Sequence, residues 1–219
     1  MPKALARLSA LALLLGACTG DPAESTPDAG PAADDARPPS PAQEQRIDAS
    51  ADRPWQRPET VVETVVAEGM DEQVTLRLVH FPEAPLPFST YVYDTWDTDL
   101  ASSGEGTAVR MTTGEPPFEG VLSLFVPAGA PTEAEIVELA RSMAESNGGA
   151  QEMVAPADWV RTGYSFRTGD TIGTVQVGAH AGTWFYVYET FPIEMGDGFG
   201  PASAVALDRL RWDDDGTGL

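Results

Sequence analysis

The sequence predicts an α+β domain built on an antiparallel sheet, with a crossover helix and a C-terminal helix. Three features predict it: alternating apolar and polar residues with turn punctuation from about Glu59, one sharply signalled helix at Thr132, and a second alternating block followed by a closing helix. The segment from 59 to 212 is long enough to bury an ordinary core.

Thr60 to Ala67 reads as a first strand and Glu68 to Glu72 as the turn after it. In Gln73 to Phe81, Val74, Leu76 and Leu78 alternate with Thr75, Arg77 and Val79, the two-residue period of a half-buried strand. Pro82, Pro85 and Pro87 break it, and Phe88 to Thr95, Thr107 to Thr113 and Gly120 to Val126 read as further strands. Val121, Leu124 and Val126 are expected core residues, while Gly104 and Gly106 mark an open loop.

The helix expected over Thr132 to Asn147 opens on a capping box, Thr132-x-x-Glu135, in which each side chain serves an N–H group that the first turn leaves unpaired. Ile136, Leu139, Ala140 and Met143 share one face, and Gly148-Gly149 ends the helix. Trp159 to Phe166, Thr171 to Val177 and Thr183 to Phe191 are expected as three strands joined by tight connections at Arg167–Asp170 and around His180 and Gly182. Gly200-Pro201 is expected to start the last helix, which runs through Arg211. Residues 213–219, with Asp213-Asp214-Asp215, read as a solvating acidic tail.

Ahead of the domain, Lys3 and Arg7 precede an Ala/Leu run from Leu8 to Leu15 that is too short to span a bilayer, which needs about 20 apolar residues, and has the order of an export signal. The run ends Leu15-Gly16-Ala17-Cys18, which resembles the lipobox of bacterial lipoproteins. The resemblance implies a signal peptide over 1–17 and lipid on Cys18, the single cysteine of the chain. With Thr19 rather than Asp next, it further implies an outer-membrane location facing the periplasm. Several acyl chains on Cys18 would hold stably where one would not. Residues 18–58 are Pro, Ala, Asp, Glu and Ser with little aliphatic bulk and read as a disordered tether, spanning roughly 35 Å root-mean-square as a flexible chain.

The chain carries 13 basic and 34 acidic residues; loss of 1–17 removes Lys3 and Arg7, leaving 11 against 34 and a net charge of −23 with arginine as the sole cation. Such a surface repels nucleic acid and anionic headgroups, which excludes nucleic-acid partners. Acidity with lysine depletion also suits a saline host, where salt screens self-repulsion.

In the C-terminal half, Gly173 to Tyr188, then Phe191-Pro192, then a helix opened by Gly198-Phe199 and ending at Arg211-Trp212, resemble the closing half of Mog1/PsbP-like domains. The likeness is greatest to the DcrB-like bacterial lipoproteins. It implies a non-enzymatic accessory or binding protein and carries over no catalytic residue.

No catalytic set is predicted, and no metal site or cofactor. With His80 and His180 the only histidines, a three-histidine zinc site is impossible, and no G-x-S-x-G accompanies either one. Asp94, Asp97, Asp99 and Glu105 are expected in one acidic loop over 94–105 whose spacing does not match an EF-hand. Glu189 and Glu194 do not form a catalytic pair. Trp184, Tyr186 and Tyr188 share one strand face; exposed, they would offer a platform to a peptide, a glycan or an envelope protein, and otherwise they pack under a helix. The sequence therefore favours a lipid-anchored binding or scaffold protein of the envelope, held to the membrane through Cys18. The alternative is an envelope hydrolase or cation-binding protein using the 94–105 loop with His180.

Overall fold

Strand alternation and turn chemistry fold the chain into two antiparallel sheets. The computed structural model describes residues 56–67, 70–116 and 118–219, all within one compact unit, Ile47–Leu219. The signal segment, Cys18 and the tether up to residue 55 lie outside the described residues.

Strands β1 (Thr60–Ala67), β2 (Met70–Phe81) and β3 (Phe88–Tyr93) form the smaller sheet with β11 (Arg211–Trp212), in the order β1-β2-β3-β11. The larger sheet contains β4 (Asp97–Ser102), β5 (Gly106–Thr113), β6 (Gly120–Pro127), β7 (Gln151–Glu152), β8 (Thr162–Thr168), β9 (Thr171–His180) and β10 (Thr183–Pro192). Its order is β4-β5-β6-β10-β9-β8-β7. Helix α1 (Glu133–Ser146) carries the chain from the middle of this sheet to its far edge, and α2 (Gly196–Asp208) returns it to the smaller sheet. The fold is α+β, dominated by antiparallel sheets with two helices.

The period of two places Val109, Met111, Leu122, Leu124, Phe185 and Val187 on one face of the larger sheet, in a core shared with Phe81, Phe88 and Val92 of the smaller sheet and Phe199 and Ala206 of α2. On the opposite face, α1 buries Ile136, Ala140 and Ala144 against Tyr164, Phe166, Val175, Val177 and Tyr186. Its capping box forms: the Thr132 hydroxyl accepts from the Glu135 N–H, and the Glu135 carboxylate accepts from the Thr132 N–H at 2.8 Å.

Four expectations are corrected. The 94–105 segment is no open acidic loop, because Asp97–Ser102 pairs with β5, Asp99 opposite Arg110. It is an exposed edge strand, where charged side chains face water and discourage further pairing. The closing helix starts at Gly196, before Pro201, because Phe199 is buried against Trp96 and Phe191 and holds its glycine-rich first turn. It stops at Asp208, and Arg211-Trp212 forms β11 instead. The first expected strand of the second block begins at Thr162, leaving Trp159 ahead of it. The domain also begins slightly earlier than Glu59, since Arg57 donates to the Arg209 carbonyl at 2.9 Å and lies 4.3 Å from the Tyr91 ring centroid.

Candidate functional site: a cleft between the sheet and α2

Helix α1 covers β8 and β9 from one side, and their other side faces α2 and the connection from α1 to β8. A cleft of about 840 Å³ opens there, between β8–β10, α2 and the connection from α1 to β8. Its size falls within the usual range for small-molecule sites. Trp159, Ile172, Phe191 and Leu207 supply apolar walls, with Arg167 and Asp208 exposed at the rim.

The register builds a polar floor. Thr174 on β9 lies opposite Glu189 on β10, and Gln176 stands two residues along β9 on the same face. Gln176 Nε2 donates to Thr174 Oγ1 at 3.2 Å, and Thr174 Oγ1 donates to Glu189 Oε2 at 3.4 Å. The other carboxyl oxygen, Oε1, contacts Ser203 Oγ of α2, which also lies 2.9 Å from the Gly200 carbonyl. Burial pushes the Glu189 carboxyl above its ordinary range, opposed by the bonds from Ser203 and Thr174. The Ser203 hydroxyl donates to Glu189 Oε1 and also lies within reach of the Gly200 carbonyl one turn back in α2.

Thr174 and Ser203 thus each donate to one oxygen of the Glu189 carboxyl, and Gln176 donates to Thr174. Gln176 is 6% exposed and lines the cleft. Among the described residues its carbonyl and its second amide hydrogen have no partner.

Glycines shape this site. A Cβ on Gly178 would lie 2.6 Å from the Phe185 ring and 2.9 Å from the Trp159 indole, so Trp159 can lie against the sheet only over a bare backbone. At the β9–β10 turn, Ala181 and Gly182 both have positive φ, +47° and +80°, the requirement of a tight hairpin with matching twist.

The sequence-predicted candidates lie elsewhere. His180 is at the hairpin end of β9, stacked on Trp212 with ring centroids 4.5 Å apart, and its Nε2 lies 2.8 Å from Asp214. Three strands separate β9 from β4, so His180 and the 94–105 segment do not form one site. His80 Nε2 similarly lies 2.7 Å from Asp213. The two histidines thus hold consecutive aspartates of the 213–219 segment, which is a docked turn rather than a freely solvated tail: Asp213 N–H donates to the Pro87 carbonyl and Gly216 N–H to Trp212. His180, Asp214 and Asp215 bring three ligand-type atoms within 4.8 Å of one another, with both carboxylates exposed.

The row Trp184, Tyr186, Tyr188 is partly covered by α1, and a groove of about 440 Å³ remains beside Tyr186 and Tyr188. Tyr186 is buried, stacked on Phe125 at 4.9 Å, and Tyr188 stacks on Phe166 at 5.7 Å, because α1 packs over this face. Burial raises the phenol of Tyr186 well beyond its usual range. Thr174, Gln176 and Ser203 were not singled out from sequence, and Glu189 was weighed only as a pair with Glu194, although it left a signal: it interrupts the inward series Phe185, Val187, Phe191 with an acidic residue.

No helix among the described residues is long and apolar enough to cross a membrane. No protein-family model matches the chain, and no curated protein matches it. Among solved structures it is similar to LpqN of Mycobacterium tuberculosis, a protein involved in cell envelope biogenesis, with a TM-score of 0.42 and 12% identity, covering 63% of this chain and 91% of that one. Likeness at this level identifies neither a family nor a ligand.

Proposed function

We propose that this chain is a cell-envelope lipoprotein, anchored through lipid on Cys18, whose domain is a non-enzymatic module that binds a small molecule in the cleft beneath α2. The observation that carries the binding role is the cleft itself. Apolar walls converge on a hydrogen-bonded floor in which one buried amide edge is left open. The anchor is supported by the basic residues, short apolar run and Gly16-Ala17-Cys18 at the start of the sequence. Thr19 favours outer-membrane sorting, facing the periplasm, and the strand and helix order of the C-terminal half favours the Mog1/PsbP-like, DcrB-like group. Among the described residues lining the cleft, no histidine and no second carboxylate joins the Ser203 and Thr174 hydroxyls at the floor, which favours binding over catalysis.

Two experiments separate the parts of this reading. Cys18→Ala should release the protein from the membrane fraction and abolish lipid labelling, and retention in that fraction would sink the anchor. The full chain carrying Cys18→Ala, prepared without detergent, should bind the neutral fluorophore aminoanthracene. Ala204→Trp, which projects an indole from α2 into the cleft, should remove that binding. Equal binding by both proteins would place the fluorophore elsewhere and refute the cleft as the site.

A further inference from the structure

Taking the cleft as the binding site proposed above, we infer that its ligand is an uncharged amphiphile: an apolar body lying along Trp159, Phe191 and Leu207, and a neutral head carrying both a donor and an acceptor that pairs with the Gln176 amide. The floor leads to this chemistry by elimination. The hydroxyl hydrogens of Thr174 and Ser203 and both oxygens of Glu189 are already engaged, so the free carbonyl and free N–H of Gln176 are what a ligand meets. Both belong to a side chain that is almost fully buried yet lines the cleft, so a ligand there can pair with them in place of water.

Charged heads are disfavoured for separate reasons. An anion would be desolvated beside the Glu189 carboxyl and beneath Asp208, with the Arg167 guanidinium turned to the Gly169 carbonyl at 3.1 Å. A cation would require Glu189 to ionise. Burial opposes that ionisation, and both carboxyl oxygens already accept hydrogen bonds from Thr174 and Ser203.

The test uses three probes with the same chain and different heads, octanamide, octanoate and octylamine, competing with aminoanthracene on the detergent-free full chain carrying Cys18→Ala. Octanamide should bind about tenfold more tightly than either charged probe, the size expected of a pair of neutral hydrogen bonds. Gln176→Leu should erase that preference, so that the three probes compete equally; should this variant fail to fold, Gln176→Met serves the same purpose. Preference for octylamine would identify Glu189 as a counter-ion and overturn the inference. Preference for octanoate, equal affinity of all three, or a preference that survives at both Gln176 variants would also overturn it. In each of those cases the cleft remains a binding site, whereas failure of aminoanthracene itself to bind refutes the underlying reading.

Discussion

Glu189 of β10 and Ser203 of α2 meet at the floor of the cleft, so one side-chain contact ties the second helix to the larger sheet where the surrounding walls are apolar. Ser203→Ala should lower stability by about 1–2 kcal/mol, because it leaves a buried carboxyl oxygen without its partner. It should also raise the Glu189 pKa further, since the Ser203 bond acts to lower it. Chemical denaturation and carboxyl titration by NMR measure the two effects.

Glu189 makes stability depend on pH in a defined direction. Burial raises its folded-state pKa above the ordinary 4.5, so the folded state favours the neutral acid. That contribution is fully present below 4.5 and is lost as pH rises through the elevated folded value. Glu189→Gln cannot ionise, so its melting temperature relative to wild type should climb as pH rises through this window. A difference that stays constant with pH, or one that shrinks, would contradict the assignment.

Gly178→Ala should disturb the cleft wall without touching the floor. The added Cβ would press on Phe185 and Trp159 at distances that real contacts do not reach, so Trp159 must move. A loss of about 1–3 kcal/mol and altered tryptophan emission are expected.

His180→Ala should act on the 213–219 segment and not on the cleft. Loss of the Trp212 stack and the Asp214 contact should lower stability by about 1 kcal/mol and speed amide exchange in that segment. Aminoanthracene affinity should be unchanged.

Thr132→Ala removes one half of the capping box and should cost about 1 kcal/mol, seen as faster exchange in the first turn of α1.

Much of the fold was legible because local rules and tertiary packing agree. The β9 and β10 alternation, the capping box and the turn at Gly182 each emerge from short stretches of sequence. Where the rules conflict, packing wins: burial of Phe199 carries α2 through a glycine-rich turn ahead of Pro201, and pairing with β5 makes a strand of Asp97–Ser102 despite its polarity. The cleft floor was not legible. Thr174, Gln176, Glu189 and Ser203 come from two strands and a helix, and their convergence depends on register and helix placement, which spacing along one strand does not encode.

The claim that the cleft is the binding site is tested most directly by titrating octanamide into the full chain carrying Cys18→Ala and following its amide correlation spectrum. The account predicts saturable shifts at Thr174, Gln176, Glu189 and Ser203, including the Gln176 side-chain amide, with the Tyr186–Tyr188 face unmoved. Shifts confined to that aromatic face, or no saturable shifts at the floor, would contradict it.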